Sequence, residues 1–160
     1  MAALSAGLLL FRRGVEGNPE VLLVHPGGPF WSRKDAGAWS IPKGEVEAGE
    51  EPAAVAEREF AEELGRPAPD GPRTDLGEIT QAGGKRVRSW AVEGDFDATD
   101  ITSNQFEMEW PPRSGRRQSF PEVDRAAWFS LDDACQKLIA AQVDLLDRLP
   151  PLGGLGLGRV

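Results

Sequence analysis

The chain has 160 residues, enough for one domain with a substantial core, and its 40% hydrophobic and 28% charged residues are ordinary for a globular protein. The net charge of −8 argues against a binder of nucleic-acid backbones, which favours a basic surface. A single cysteine excludes an internal disulfide, and no apolar run is long enough to cross a bilayer, so we expect a cytoplasmic protein without nucleic-acid or membrane partners.

Two apolar runs at the start of the chain predict an antiparallel hairpin. Residues 4–12 are rich in Leu and Ala, and residues 20–25 form a second short run after a glycine-containing turn. The first run leads directly into this strand pattern and no small-residue cleavage site follows it, so we expect it not to be a signal peptide. A glycine-rich loop over 26–38 follows and carries Arg33 and Lys34. Loops of this composition often carry function.

One helix near the middle of the chain has clear start and stop signals. Pro52 suits the first helical position, because the N–H that it lacks has no helical partner there. Gly65 and Pro67 end the helix, since glycine adopts the left-handed conformation after the last turn and proline cannot continue it. These signals predict a helix of about 13 residues. Its apolar side comprises Ala53, Ala56, Phe60 and Leu64.

Alternating apolar and polar residues predict further strands downstream, over 76–80, 85–96, 106–110 and 123–129, with the rest of 97–119 as loop. Ser130 followed by Asp133 predicts the capped start of a helix over 131–141, in which we expect Cys135 to be a buried thiol. A further helical piece is predicted over 142–149. Residues 151–160 are glycine-rich and lack a pattern, which predicts a flexible tail.

Three acids in the predicted central helix are placed for metal binding. Glu59, Glu62 and Glu63 occupy positions i, i+3 and i+4, so their carboxylates crowd together and repel one another. A divalent cation would relieve this repulsion, and oxygen donors without His or Cys favour Mg²⁺ or Mn²⁺ over zinc. On an arbitrary helix such acids more often form a solvated face, with Glu62 paired to Arg66, so the wider pattern decides.

The stretch from Gly44 to Gly65 places seven fixed residue types at a recognisable spacing. Five residues separate Gly44 from Glu50, seven precede Arg58-Glu59-Phe60, and single residues then separate this run, Glu62-Glu63 and Gly65. The pattern resembles the Nudix box of the Nudix hydrolases, with Arg66 where the family usually has an aliphatic residue. The run WSIPKGEVEAGE resembles most the branch of dinucleoside polyphosphate and diphosphoinositol polyphosphate hydrolases.

This resemblance implies a fold and an activity. The fold is an α/β three-layer α/β/α sandwich with a mixed β-sheet, formed by a single domain over residues 1–150. The activity is metal-dependent hydrolysis of a phosphoanhydride bond in a nucleoside diphosphate linked to another group, with dinucleoside polyphosphates and NTPs among the candidate substrates and Mg²⁺ or Mn²⁺ as cofactor. The alternative is a non-catalytic Nudix-fold sensor that binds a nucleotide. Such modules tend to have lost box acids, and none is lost here.

The resemblance also implies roles for the box residues, taken position by position. Glu62 and Glu63 match the main metal ligands, and Glu59 matches a further ligand or the catalytic base. The carbonyl of Lys43 joins the metal shell, and its ammonium approaches phosphate; an exposed lysine is the alternative for the side chain.

The remaining box residues are implied to support this site. Arg58 matches an arginine that orients the catalytic helix by pairing with Glu50, a plain surface ion pair being the alternative. Glu50 and Gly65 are structural in the motif. Gly44 is structural too, and it allows close approach of the backbone to a substrate.

A further carboxylate is expected from outside the box. Family members often place one near the start of the last strand, six residues before a tryptophan, and Glu122 has this spacing to Trp128. We therefore predict Glu122 as an outside ligand or general base, against the alternative of a solvated turn residue. Glu107 and Glu109 are the other candidates.

Substrate recognition is less specified by the sequence. Arg33 and Lys34 are candidate phosphate contacts. The tryptophans are candidate stacking platforms, although each is more often part of a core. His25, the only histidine, ends an apolar strand and is more often structural than catalytic in such a position. The pattern does not separate the candidate substrates or set the oligomeric state.

Overall fold

The computed structural model describes residues 3–152. Within this range the strands are β1 (Leu4–Arg13), β2 (Pro19–Pro26), β3 (Lys43–Glu45), β4 (Thr74–Thr80), β5 (Arg86–Glu93), β6 (Gln105–Glu109), β7 (Arg117–Pro121) and β8 (Val123–Ser130). Six of them form one sheet in the order β4-β5-β1-β2-β8, with β3 paired to β1. Strand β1 runs parallel to β5 and the other pairs are antiparallel, so the sheet is mixed as predicted.

Helices cover both faces of this sheet. Helix α1 (Pro52–Leu64) lies on one face, and α2 (Leu131–Lys137) with a 3₁₀ segment (Ala140–Arg148) lies on the other. Successive side chains of β1 point to opposite faces, so Leu8 and Leu10 pack with α1 while Leu9 and Phe11 pack with the other layer. The three-layer α/β/α arrangement is therefore confirmed. No helix among the described residues is long and apolar enough to cross a membrane.

The strongest local signals gave the elements that match the structure. Helix α1 spans the predicted 13 residues, begins with Pro52 and ends at Gly65, whose φ of 90° is left-handed. The first two strands form the predicted antiparallel hairpin. The hydroxyl of Ser130 accepts a hydrogen bond from the Asp133 N–H at 3.1 Å and so caps α2.

Four expectations for the second half of the chain need correction or fall partly outside the description. Residues 117–119, predicted as loop, belong with residues 120–121 to strand β7, which pairs with β6. Helix α2 ends at Lys137, because the chain turns extended at Leu138 to bridge Trp39. Cys135 is exposed, on the wet side of α2. In the predicted tail, Leu152 packs into the core, and residues 153–160 lie outside the described range.

Strand β1 shares its second edge between two partners, and this division positions the site. Residues 11–13 of β1 pair with β2, whereas residues 5–7 pair with β3. Strands β2 and β3 therefore diverge along this edge, and the Leu8 N–H between them bonds to the Pro42 carbonyl at 3.1 Å. The divergence leaves room beside β3, next to the carboxyl-terminal half of α1.

Candidate active site

A cleft beside β3 collects the acids of α1. Glu59 and Glu62 keep 18% and 41% of their side-chain surface exposed. We call this the acid cleft; its volume is about 430 Å³, and it is lined by Lys43, Gly44, Glu45, Glu59, Glu62, Glu63, Asn104 and Glu122. Helical spacing thus turns the three box acids toward one space, against the β3 backbone.

Glu122 reaches the acid cleft through a backbone relay that joins four segments. The Asn104 N–H donates to the Glu62 carbonyl at 2.9 Å, and the Glu122 N–H donates to the Asn104 carbonyl at 2.7 Å. The Gly27 N–H then donates to the Glu122 carbonyl at 2.9 Å. A Cβ on Gly27 would sit 1.9 Å from the Pro121 carbonyl oxygen, so this close approach requires glycine.

The other two candidate outside acids are engaged elsewhere. Glu107 and Glu109 lie on β6, in the two-stranded sheet formed with β7. The Glu107 carboxylate pairs with Arg117 at 3.3 Å, and that of Glu109 accepts from the Gly115 N–H at 2.7 Å. Of the three candidates, Glu122 is the one that lines the acid cleft.

Gly44 makes room for Glu59. A Cβ at this position would lie 2.1 Å from both the carboxylate carbon and Oε1 of Glu59. No side chain fits at that distance, so even alanine would push the carboxylate aside. The glycine of the motif is therefore explained here by contact with an acid of the same motif.

Arg58 holds the outer side of the acid cluster. Its Nη1 and Nη2 donate to the two carboxylate oxygens of Glu50 at 2.5 and 3.4 Å, forming the expected ion pair. The same guanidinium lies 3.8 Å from Glu59 and 4.0 Å from Glu62. Glu50 also accepts from the Glu47 N–H at 2.8 Å, so Arg58 ties α1 to the loop before it.

The acid cleft carries an excess of confined negative charge. Burial, with repulsion from Glu59 and Glu122, raises the pKa of the Glu63 carboxyl from 4.5 to about 8. Burial and repulsion from Glu62 also raise the pKa of Glu59. Lys43 gives partial compensation, although burial lowers the pKa of its own ammonium. These side chains gain from a cation placed among them.

The oxygen donors of the acid cleft match a hard divalent cation, although among the described residues the carboxylates are too far apart to coordinate one as they stand. Carboxylate oxygens and a carbonyl suit Mg²⁺ or Mn²⁺, and the acid cleft has no sulfur or imidazole in its lining. Within residues 3–152, no three His, Cys, Asp or Glu side chains are grouped so that they hold a metal ion as they stand. A cation held by three of these carboxylates would therefore require their oxygens to move closer together.

A second cavity of about 250 Å³ adjoins the acid cleft and is more apolar. The two spaces share three walls, which are Lys43, Glu63 and Glu122. Its other walls come from the 27–38 loop, the β2 end and the start of the 3₁₀ region: Val24, Pro26, Trp31, Ala38, Ser40, Ile41, Val123 and Ile139. An anionic group in the acid cleft would thus leave an attached apolar group facing this cavity.

The candidate phosphate contacts on the loop lie outside both linings. Arg33 and Lys34 are exposed, and the Lys34 ammonium lies 5.1 Å from the Trp31 ring centroid. Of the tryptophans, Trp31 lines the apolar cavity, whereas Trp39 is buried in the core.

Sequence reasoning missed Asn104 and Ile139 as lining residues. Both are brought to the site by long-range pairing: Asn104 by the backbone relay, and Ile139 by its N–H bond to the Trp39 carbonyl at 2.8 Å. No local pattern around either residue signals this.

Comparison with known proteins agrees with this architecture. An 8-oxo-(d)GTP phosphatase of Mycolicibacterium smegmatis is 32% identical over 148 residues, covering 84% of this chain but only 37% of that protein. The chain thus spans little more than a third of that relative. Two solved structures share the fold at lower identity. The C. elegans Ap4A hydrolase has a TM-score of 0.57 at 22% identity, with 92% of this chain and 96% of that chain covered. A MutT protein from Methanosarcina mazei Go1 has a TM-score of 0.58 at 21% identity, with 92% and 91% covered.

The family assignment rests on nearly the whole length of the chain. The NUDIX domain model matches residues 1–149, which include the box, the sheet and both helical layers. The chain belongs to the NUDIX family.

Proposed function

We propose that this protein is a divalent-metal-dependent pyrophosphohydrolase that cleaves a phosphoanhydride bond of a nucleoside diphosphate linked to another group, nucleoside triphosphates included. One observation carries the proposal: five carboxylates, from β3, α1 and the residue before β8, line one cleft that lies beside an apolar cavity. Such a cleft suits a ligand with phosphates at one end and a flat apolar group at the other.

The reaction sets three demands on the site. A water oxygen bonds to phosphorus, the bridging P–O bond breaks, and one proton of the water passes to a base while the leaving phosphate departs as an anion. Negative charge on both phosphates needs neutralising, and the reacting groups need fixed positions. A bound divalent cation supplies charge neutralisation and makes bound water more acidic.

This chain's residues divide the remaining work. We assign metal binding to Glu59, Glu62, Glu63 and Glu122 with the Lys43 carbonyl, and phosphate contact to the Lys43 ammonium. Arg58 holds the acids in register through Glu50. Glu59 and Glu122 are the candidate bases, and both line the acid cleft where the phosphates would lie.

The relatives suggest which substrates to test first. The relative at 32% identity is an 8-oxo-(d)GTP phosphatase, and a fold neighbour is an Ap4A hydrolase. A purine base suits the chemistry of the apolar cavity, since Trp31 supplies an aromatic ring and Ile139 an apolar side chain. Both substrates therefore lead the screen.

A phosphate- and pyrophosphate-release screen tests the proposal. The substrates are 8-oxo-dGTP, Ap4A, canonical NTPs, ADP-ribose and an inositol pyrophosphate, each with Mg²⁺, Mn²⁺ or chelator. We expect turnover that needs metal and that falls by a factor of about 10³ in the Glu62→Gln, Glu63→Gln double variant.

A matched control separates loss of the site from loss of helix charge. Glu57→Gln makes the same chemical change on α1, but Glu57 faces away and pairs with Arg73 at 2.8 Å. It should keep activity within about twofold. Full activity in the double variant would overturn the proposal. Nucleotide binding by calorimetry without turnover of any substrate would favour the sensor alternative.

A further inference from the structure

The single histidine is buried and bridges two parts of the chain. His25 lies at the end of β2 with none of its surface exposed. Its Nδ1 is 2.8 Å from an Asp124 carboxylate oxygen on β8, and its Nε2 is 2.6 Å from the Lys34 carbonyl oxygen. The ring edge packs on Trp39, with the centroids 5.2 Å apart. His25 thus joins the sheet to the middle of the 27–38 loop.

Both partners of the His25 ring are hydrogen-bond acceptors. A neutral imidazole has one N–H and donates to only one of them, so satisfying both contacts requires a second proton, on the ring or on Asp124. Arg125 lies 3.7 Å from the same Asp124 oxygen and is the nearby cation. A buried polar bridge with both ends occupied fixes the positions of its partners.

The Lys34 end of this bridge is one of the attachments near the cavity wall; the edge-on packing of Phe30 against Trp110, with centroids 5.8 Å apart, is another. The loop is tied down at its start by the Gly27 N–H and near its end by Asp35, which bonds to the Trp39 indole at 2.7 Å. Between these, His25 holds the carbonyl of Lys34. The Lys34 N–H in turn donates to the Trp31 carbonyl at 2.9 Å, so the turn that carries Trp31 closes on the residue that His25 holds.

We propose that His25 is a positioning residue for the substrate cavity. By donating to the Lys34 carbonyl it holds the 27–38 loop so that Trp31 lines the same cavity as Lys43 and Glu122. His25 itself does not line the acid cleft or the cavity, so it acts through the loop. The kinetic part of this inference rests on the proposed function, and the part concerning the loop does not.

Two conservative variants separate the two ends of the bridge. The amide nitrogen of glutamine reaches about as far as Nε2, so His25→Gln keeps a donor for the Lys34 carbonyl. The shorter asparagine reaches about as far as Nδ1, so His25→Asn keeps the contact with Asp124 and loses the one with the loop. Both variants remove the same aromatic ring from the same core position, so each is the other's control for lost packing.

Limited trypsin digestion tests the hold on the loop without any substrate. Arg33 and Lys34 are exposed cleavage points on the held turn, and Lys85 after another surface turn is the internal reference. We expect His25→Asn to be cut after Arg33 and Lys34 roughly tenfold faster than His25→Gln, with equal rates after Lys85. Equal rates at the loop in the two variants would overturn the proposed hold.

Steady-state kinetics with the best substrate of the screen tests the consequence for the cavity. We expect His25→Asn to raise KM several-fold over His25→Gln with kcat less affected, because the loop shapes the binding wall and not the acid cleft. In a Trp31→Ala background the difference between the two variants should vanish. An unchanged KM difference there, or equal KM values in both variants, would overturn the positioning role.

The two assays also keep the inference apart from the proposed function. A wild type that turns over no substrate would defeat the proposed function, while the digestion would still decide whether His25 holds the loop. Turnover with equal digestion and equal KM would keep the function and remove His25 from it.

Discussion

Two polar clusters flank the segment 40–44, and they are built in opposite ways. On one side, the buried amide of Gln142 satisfies every partner: its oxygen accepts from the Ile41 N–H at 2.9 Å, and its nitrogen donates to Ser40 and Gln81 at 3.0 and 2.9 Å. We call this the amide network. On the other side, the acid cleft holds carboxyl groups that Lys43 and Arg58 compensate only in part, and burial with repulsion raises the pKa of Glu63 to about 8.

The difference distinguishes polar groups that stabilise the fold from polar groups that are available to a ligand. A satisfied buried network fixes the chain and leaves nothing for a ligand to gain. A cluster of unmatched carboxylates costs stability and is retained where a ligand supplies the missing charge. The amide network thus fixes segment 40–44 from one side, and the backbone of this segment borders the acid cleft on the other side.

Removing the charge of Glu63 is expected to stabilise the metal-free protein. The pKa of Glu63 in the folded protein, about 8, lies above its ordinary value of 4.5, so the folded protein binds the proton more tightly than the unfolded chain does. The stability that the bound proton adds to the folded protein is fully present below pH 4.5 and is lost as the pH rises through about 8. In the presence of chelator, the free energy of unfolding of Glu63→Gln should therefore rise relative to that of wild type by roughly 3 kcal/mol between about pH 5 and pH 8.

Urea unfolding at several pH values measures this gain. Glu57→Gln, on the same helix, should show no such pH-dependent gain. A Glu63→Gln variant that is equally destabilised at all pH values would mean that Glu63 is a satisfied structural acid, and the contrast between the two clusters would fail.

Glu122 is expected to belong to the acid cleft in function as well as in position. Glu122→Gln should lower kcat by a factor of about 10², because it removes a charged oxygen from the cleft. Glu107→Gln, at an acid paired with Arg117 in the β6–β7 hairpin, should stay within about twofold. Initial rates at saturating substrate and metal compare the two variants. A larger loss of kcat in Glu107→Gln than in Glu122→Gln would identify Glu107, and not Glu122, as the functional acid outside the box.

The amide network should lose stability first and activity only secondarily. Gln142→Ala leaves the Ile41 N–H and two side chains without buried partners, at a cost of about 2–3 kcal/mol. Gln136→Ala, at an exposed glutamine on α2, should change stability by less than about 0.5 kcal/mol. Urea unfolding measures both costs. A neutral Gln142→Ala would show that the network does not fix this segment.

Gly44→Ala should have the smallest effect and confine it to activity. The added Cβ displaces the Glu59 carboxylate, so kcat should fall by roughly tenfold, since Glu59 keeps its charge but not its place. Gly83→Ala supplies the crossed control: its φ of 82° is left-handed with open space around it, so it should lose about 1 kcal/mol of stability and no activity. Unchanged kcat in Gly44→Ala would separate Glu59 from the chemistry.

The sequence predicted those parts of the fold that are written in local signals. Pro52 and Gly65 fixed both ends of α1, because each residue type acts on the backbone at its own position. The exposed strand Arg117–Pro121 was missed, because a two-stranded ribbon with little buried surface shows no apolar alternation. Helix α2 was predicted four residues too long, because its end depends on a bridge to Trp39, which is distant in the chain.

The same division holds for the site. Helical spacing alone was enough to predict that Glu59, Glu62 and Glu63 share a face. Glu122 came from a family spacing, and its route into the cleft through Asn104 depends on backbone hydrogen bonds between distant segments. The sequence also did not predict that His25 is buried with both ring nitrogens hydrogen-bonded, since no local pattern identifies Asp124 or Lys34 as its partners.

The hydrogen bond between Asn104 and Glu122 has a consequence for how this scaffold can vary. The β6–β7 ribbon begins directly after Asn104 and ends directly before Glu122. The 2.7 Å hydrogen bond between these two residues joins the two ends of the ribbon. Because this hydrogen bond joins main-chain atoms, it does not depend on the side chains of the ribbon. Substitutions between residues 105 and 121 therefore leave its donor and acceptor in place.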